Sequence, residues 1–241
     1  MNSFSVYKEL ENEKMMNKEI KVEYSPTAAL EEIIEFYENG VKTEIRYDYW
    51  AYPDAKRLMK KMEEGVRGMD YNLNDIERFC LEIRNRNTKF FCDYFGVYLS
   101  ALINKIISDG DKITLQLRGL KDGIGYIGSE LKKGKIIVNG NAGNYIGEKM
   151  EGGEIVVYGS VGDEVSCQMY GGRIRIKGSA GDHLGRFMDK GEITIEKHAG
   201  IHLGCFMMGG KITVNGSKPL DICDDAEHGE IYHKDKKVFS H

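Results

Sequence analysis

The sequence has no pair of cysteines in CxxC spacing, no excess of basic charge and no apolar run near the ~18 residues of a membrane span. Each absence excludes something. The five cysteines (Cys80, Cys92, Cys167, Cys205, Cys223) are odd in number. That argues against a disulfide scaffold and a four-cysteine zinc site, and for a reducing compartment, the cytoplasm. A net charge of −4 argues against nucleic acid as a partner, and the missing apolar run against a membrane. Met1 to Val22 carries Glu9, Glu11, Glu13, Lys14 and Lys18, so it does not read as a secretory signal. Proline is scarce too, at three, but glycine is not: the 241 residues include 29.

The glycines are unevenly placed. Residues 1–111 hold 5 and residues 112–241 hold 24. The first part is acidic, with 16 Lys+Arg against 21 Asp+Glu, and the second is nearly balanced, 18 against 17. This shift predicts a domain boundary at the Asp109-Gly110-Asp111 turn. Residues 1–111 read as a small, largely helical α+β domain. Ser25-Pro26 opens a helix carrying Leu30, Ile33, Ile34 and Tyr37 on one face. Val41 to Trp50 alternates like a strand. Pro53 to Glu64 is a second helix, Asn74-Asp75 caps a third through about Arg86, and residues from 87 or 88 to 108 form the longest, with Gly96 in its middle.

Residues 122–235 contain a 19-residue repeat in six copies without insertions. Position 13 is glycine in every copy (Gly134, Gly153, Gly172, Gly191, Gly210, Gly229), and position 15 is isoleucine in every copy (Ile136 to Ile231). Position 17 is Val or Ile until His233, and position 10 runs Leu131, Met150, Met169, Met188, Met207, Ala226. One unit cannot bury its own apolar face. Stacked units can, each residue sitting on its equivalent at about 4.8 Å. The pattern predicts a parallel β-helix with the methionines as a core ladder. Position 14 supports the register: Lys135, Glu154, Arg173, Glu192, Lys211 and Glu230 alternate in sign, worth roughly 0.2–1 kcal/mol per stacked pair. Glycines at 3, 7, 12, 13 and 19 are expected at corners, with positive φ or close backbone approach. Gly123 to Gly128 matches GxGxxG by letter, but it belongs to copy one of the repeat and no helix pattern follows, which argues against a dinucleotide site. Ile113, Leu115 and Leu117 predict an extra strand before copy one. The N-terminal domain is expected to cover that open end, and the more polar sixth copy to cap the other.

The segments Gly143-Asn144-Tyr145-Ile146-Gly147-Glu148-Lys149-Met150-Glu151-Gly152-Gly153 and Gly200-Ile201-His202-Leu203-Gly204-Cys205-Phe206-Met207-Met208-Gly209-Gly210 resemble the GXGXG domain. That domain is the C-terminal β-helix of the glutamate synthase large subunit, and it also forms the body of one of the subunits of formylmethanofuran dehydrogenase. The resemblance covers roughly residues 112–235. It implies a right-handed β-helix used as structure and interface, with catalysis on other domains or subunits. Residues 1–111 resemble neither family, and with Asn2 they lack a glutaminase's N-terminal cysteine. The expected architecture is mainly β: a right-handed parallel β-helix of six 19-residue coils (residues 112–241) behind the α+β domain.

Position 5 is the column with chemistry. Stacking aligns Glu164, His183, His202 and Asp221, donors suited to a divalent metal. Beside it, Asp163 and Asp182 stack two carboxylates, unfavourable unless solvated or neutralised by a cation. Cys167 and Cys205 share position 8 two coils apart, too far for a disulfide, whereas Cys205 and Cys223 lie one coil apart at neighbouring positions. A nucleophile pairing of Cys205 with His202 lacks a third, orienting group. Phe187 and Phe206 at position 9, with Met208, form either core or an exposed strip for a partner. Tyr47, Tyr49, Trp50 and Tyr52 read as core or interface. The function expected is a non-catalytic scaffold or subunit for an oxidoreductase or amidotransferase partner, or for a second copy of itself, with no catalytic residue and no organic cofactor. The alternative is a small metal-dependent enzyme built on the position-5 column.

Overall fold

The protein's structure, a computed structural model, describes residues 27–41, 55–85, 92–120, 123–218 and 220–240. Helices come first: α1 (Ala28–Phe36), continued by a π-helical turn (Tyr37–Val41), α2 (Ala55–Val66), α3 (Leu73–Asn85) and α4 (Cys92–Ile106). Eight strands follow: β1 (Lys112–Gln116), β2 (Lys135–Asn139), β3 (Glu154–Val157), β4 (Arg173–Ile176), β5 (Glu192–Ile195), β6 (Met208–Val214), β7 (His228–His233) and β8 (Lys236–Ser240). They form one sheet in chain order, parallel from β1 to β7, with β8 antiparallel to β7. The chain is a parallel β-solenoid of about six turns preceded by helices. Among the described residues no helix is long and apolar enough to cross a membrane.

The 19-residue repeat is the register of the sheet. Lys135, Glu154, Arg173, Glu192, Lys211 and Glu230 are consecutive partners, and the ion pairs Lys135–Glu154 and Arg173–Glu192 close at 2.9 and 3.1 Å. Every position-15 isoleucine is fully buried or nearly so, as are Met150, Met169, Met188 and Met207. The invariant glycine follows from this packing. Position 13 has φ between 74° and 111° in all six copies. From Gly172 onward, a Cβ would also lie 2.6–2.7 Å from the terminal methyl of the preceding coil's methionine. Only glycine satisfies both demands. Glycines at positions 3 and 12 instead have backbone or side-chain oxygens of the neighbouring coil where a Cβ would stand.

The helices cap the first coil through polar contacts. The Ser100 hydroxyl on α4 donates to the Tyr126 carbonyl at 2.8 Å and accepts the Gly128 N–H at 2.9 Å. Asn104 Nδ2 donates to the Ser129 carbonyl at 2.9 Å. Glu77 on α3 accepts the Thr114 N–H of edge strand β1 at 2.6 Å, satisfying a donor that no strand meets. Gly96 has its reason here, since a Cβ would overlap the Gly125 carbonyl oxygen. Ile113, Leu115 and Leu117 are buried in the extra strand, and one hydrophobic cluster runs from Leu30 to Ile231. The caps differ in detail from expectation. Thr27, not Ser25, caps α1, accepting the Leu30 N–H, and Asn72 caps α3, accepting from Asn74. The alternating stretch 42–50 and the cluster Tyr47, Tyr49, Trp50, Tyr52 lie outside the described residues. The far end closes with β8, whose Lys236 and Lys237 keep a short edge strand charged.

The helical cap generates a test. Gly96→Ala should lower the unfolding free energy in urea by about 2–3 kcal/mol, because backbone must move to admit the methyl. Gly68→Ala, which meets nothing within 4 Å, should stay within about 0.5 kcal/mol of wild type. Equal stabilities for the two variants would refute the docking of α4 on coil one.

Candidate functional site

The face carrying positions 4–9 of each coil has no regular strand, yet its backbone is laddered. Position-5 N–H groups donate to position-4 carbonyls of the next coil, as in Tyr145→Asp163 and His183→Ile201, both 2.9 Å. Residues at position 5 (Tyr126, Tyr145, Glu164, His183, His202) adopt φ between 55° and 60°, and those at position 9 between 53° and 57°. These left-handed turns on non-glycine residues were not legible in the repeat, where glycine marked the corners. They turn the position-5 and position-9 side chains into stacked columns.

In the position-5 column Tyr126 and Tyr145 stack at 4.7 Å and His183 and His202 at 5.0 Å. Glu164 is 7% exposed. Its Oε1 meets Arg186 Nη1 at 3.2 Å, while Oε2, like His183 Nδ1, is buried without a partner. His202 Nδ1 lies 4.0 Å from Asp221 Oδ1, which accepts the His202 N–H at 3.0 Å. Of the four predicted ligands, His202 alone belongs to a grouping of metal-type donors whose atoms lie within 4.8 Å of one another; its companions are Cys205 and Cys223.

The stacked carboxylates need no cation. Asn144 Oδ1 accepts the Asp163 N–H at 2.9 Å, Asp163 Oδ1 the Asp182 N–H, and Asp182 Oδ1 the Ile201 N–H, both at 2.8 Å. Each side chain caps the next coil's backbone, Asn144 through its amide oxygen and the two aspartates through a carboxylate oxygen. Position 1 repeats the device through Asn141, Ser160 and Ser179.

The cysteines require a correction. Cys205 and Cys223 form a disulfide, with Cα atoms 4.9 Å apart. The odd count argued against such a scaffold, but neighbouring positions on adjacent coils bring this one pair into range. Cys205 is therefore not a thiolate poised beside His202. Cys80 and Cys167 are free. Burial, then the charges of Glu164 and Glu148, push the Cys167 thiol up to about 12.

Phe187 and Phe206 stack at 5.1 Å, with the Arg186 guanidinium 4.9 Å from the Phe187 ring. Phe187 is half-buried, whereas Phe206 is 37% and Met208 49% exposed, and Ile201 lies nearby in sequence at 48%. A separate cleft of about 320 Å³ lies between the helices and coil one, lined by Glu63, Arg67, Asn104, Lys105, Glu130 and Lys132 among others. Burial and then the Glu63 charge raise the Glu130 carboxyl. Lys105 donates to the Val66 and Met69 carbonyls. The lining holds no thiol or imidazole. No protein-family model matches the chain, and no curated protein is significantly similar to it.

Cys167 offers a direct check of this face. A thiol with a raised folded pKa keeps its proton in the fold after the unfolded chain has lost it. Stability should therefore fall as pH rises from about 9 to about 12. Cys167→Ala should make that decline shallower in urea titrations across the window, the remainder belonging to Cys80, Tyr71 and Tyr98, whose burial also raises them, and native Cys167 should resist iodoacetamide at pH values where the denatured chain reacts.

Proposed function

We propose that this protein is a non-catalytic solenoid subunit that holds a protein partner on its lateral face. The observation carrying this reading is the exposure of Phe206 and Met208, with Phe206 stacked on the half-buried Phe187, on a solenoid whose first coil is covered by helices and whose last strand pairs with β8. Exposed aromatic side chains held rigid by their own ladder supply contact area at low entropic cost. With its ends occupied by helices and hairpin, the solenoid has its sides to offer.

The same proposal takes the solenoid as right-handed and of the GXGXG type. The support is the repeat itself: glycine at position 13, methionine at position 10 and an uninterrupted 19-residue register. The partner implied is an oxidoreductase or amidotransferase subunit, with a second copy of the chain as the other occupant. A cytoplasmic setting belongs to this reading: the free thiols Cys80 and Cys167 support it, while the Cys205–Cys223 disulfide counts against a permanently reducing compartment.

A second reading has its own observation. Glu164 Oε2 and His183 Nδ1, on adjacent coils, are buried and unpartnered, which favours a divalent cation at the position-5 column and a metal-dependent activity there. Metal analysis of purified protein separates the two. Bound metal lost in Glu164→Gln and His183→Ala supports the enzyme reading; metal-free protein of full stability removes it.

The scaffold reading is tested by pull-down from the source cells with sizing of the eluate. Wild type should co-purify stoichiometrically with a partner subunit or elute as a homo-oligomer. The double variant Phe206→Asp, Met208→Glu should weaken that assembly by at least 2 kcal/mol, the scale of an interface hot spot, with unchanged thermal midpoint. A monomer without partner, or an assembly indifferent to both substitutions, would defeat it.

A further inference from the structure

We propose that reduction of the Cys205–Cys223 disulfide opens a binding site for a divalent cation of the zinc type, held by the two thiolates and the His202 imidazole with Asp221 beside it. This site takes His202 and Asp221 from the lower end of the position-5 column but neither Glu164 nor His183, and it does not depend on the scaffold reading.

Backbone pairing between the last two coils brings the sulfurs together. Leu203 and Ile222 form a parallel bridge, the Leu203 N–H donates to the Asp221 carbonyl and the Cys223 N–H to the Leu203 carbonyl, both at 2.9 Å. One rung further, the Phe206 N–H donates to the Asp225 carbonyl at 3.1 Å. These backbone bonds bracket both cysteines and are independent of the sulfur–sulfur bond. Reduction therefore leaves two thiols facing each other from Cα atoms 4.9 Å apart.

The third donor is already placed. A donor atom of His202 and the two sulfurs lie within 4.8 Å of one another. A tetrahedral zinc ion, with sulfur at about 2.3 Å and nitrogen at about 2.0 Å, needs donors roughly 3.5–4 Å apart. Small side-chain rotations meet that requirement. Two thiolates and an imidazole are the soft and borderline donors that select zinc over magnesium or calcium. Asp221 Oδ1, 4.0 Å from His202 Nδ1, either orients the imidazole or supplies an oxygen as the fourth ligand. Burial is graded: Cys205 is buried, Cys223 intermediate, His202 and Asp221 exposed. Metal and reductant thus have a path in from solvent, and exposed Asp224 and Asp225 add negative charge near it.

The chemistry balances with a dithiol as reductant. The dithiol reduces the disulfide by two electrons and leaves as its own cyclic disulfide, and its two protons pass to Cys205 and Cys223. The cation then binds both sulfurs as thiolates and releases those two protons to solvent. The site is accordingly closed to metal when oxidised and open when reduced.

The test uses the full chain with cobalt(II) as the probe. Reduced protein, freed of dithiol without air, should bind one equivalent with a thiolate-to-cobalt charge-transfer band that zinc abolishes; the oxidised protein should show none. The band should vanish in Cys205→Ser, Cys223→Ser and persist in Cys167→Ala and in Glu164→Gln, His183→Ala, which separates this site from one built on Glu164 and His183. His202→Ala should weaken binding by about 10- to 100-fold. Should the double serine variant not fold, the reduced wild type decides: zinc must protect Cys205 and Cys223 from alkylation, read by mass spectrometry. Reduced protein that takes up no cobalt, a band that survives loss of both cysteines, or alkylation unaffected by zinc would each overturn the proposal.

Discussion

Everything in this molecule depends on one backbone register. Each coil from β2 to β7 meets the next at a separation of 19 residues, apart from one register shift between Met208 and Lys211 where β6 joins β7, through strand pairs on one face and turn-to-turn hydrogen bonds on the other. An unpaired buried peptide group is expensive, so neither face can slip by one residue without losing many bonds at once. The repeat length is therefore held constant by hydrogen bonding, and side chains adapt to it. The glycine of position 13 and the methionine of position 10 express that adaptation: the methionine's terminal methyl lies where the next coil's glycine has no Cβ.

A fixed register makes every side chain the neighbour of its own equivalent, so columns rather than residues are the units of chemistry. Each column must be compatible with itself. Position 14 alternates charge, side-chain oxygens at positions 1 and 4 accept the next coil's backbone N–H, and aromatic rings stack at positions 5 and 9. None of these contacts is large alone. Cross-strand pairs contribute roughly 0.2–1 kcal/mol each, but they recur at every rung and bias one register consistently. The position-4 aspartates illustrate the rule: a stack of like charges is tolerated because each carboxylate accepts an N–H from the coil beyond it.

The solenoid was legible in the sequence because its causes are periodic. Isoleucine at position 15, the methionine ladder and the charge alternation each repeat six or four times, and each has the structural role its period implied. What was hidden is what happens once. The contact of Gly96 with the Gly125 carbonyl joins residues far apart in sequence, and nothing local announces it. Strand β8 lies beyond the last full copy and pairs antiparallel, outside any 19-residue alignment. The left-handed turns at positions 5 and 9 were masked because the usual sign of such a turn is glycine. Here Tyr, Glu, His, Lys and Phe occupy them, and turn-to-turn hydrogen bonds supply the constraint that glycine's freedom would otherwise provide.

The sixth copy shows where such a fold has room for chemistry. Internal coils are bound on both sides, so position 7 must fit beneath the next coil's isoleucine and position 10 must fill the core. In the last copy these become Cys223 and Ala226, where β7 pairs with the antiparallel strand β8 in place of another coil. Release from stacking lets a cysteine stand at position 7, diagonal to Cys205 at position 8 above it, giving a separation of 18 rather than 19. A pair of this kind inside the stack would have to displace a position-7 residue that is packed against the neighbouring coil. Reactive groups of the terminal coil can therefore change partners, from sulfur to metal, without disturbing the register on which the other coils rely.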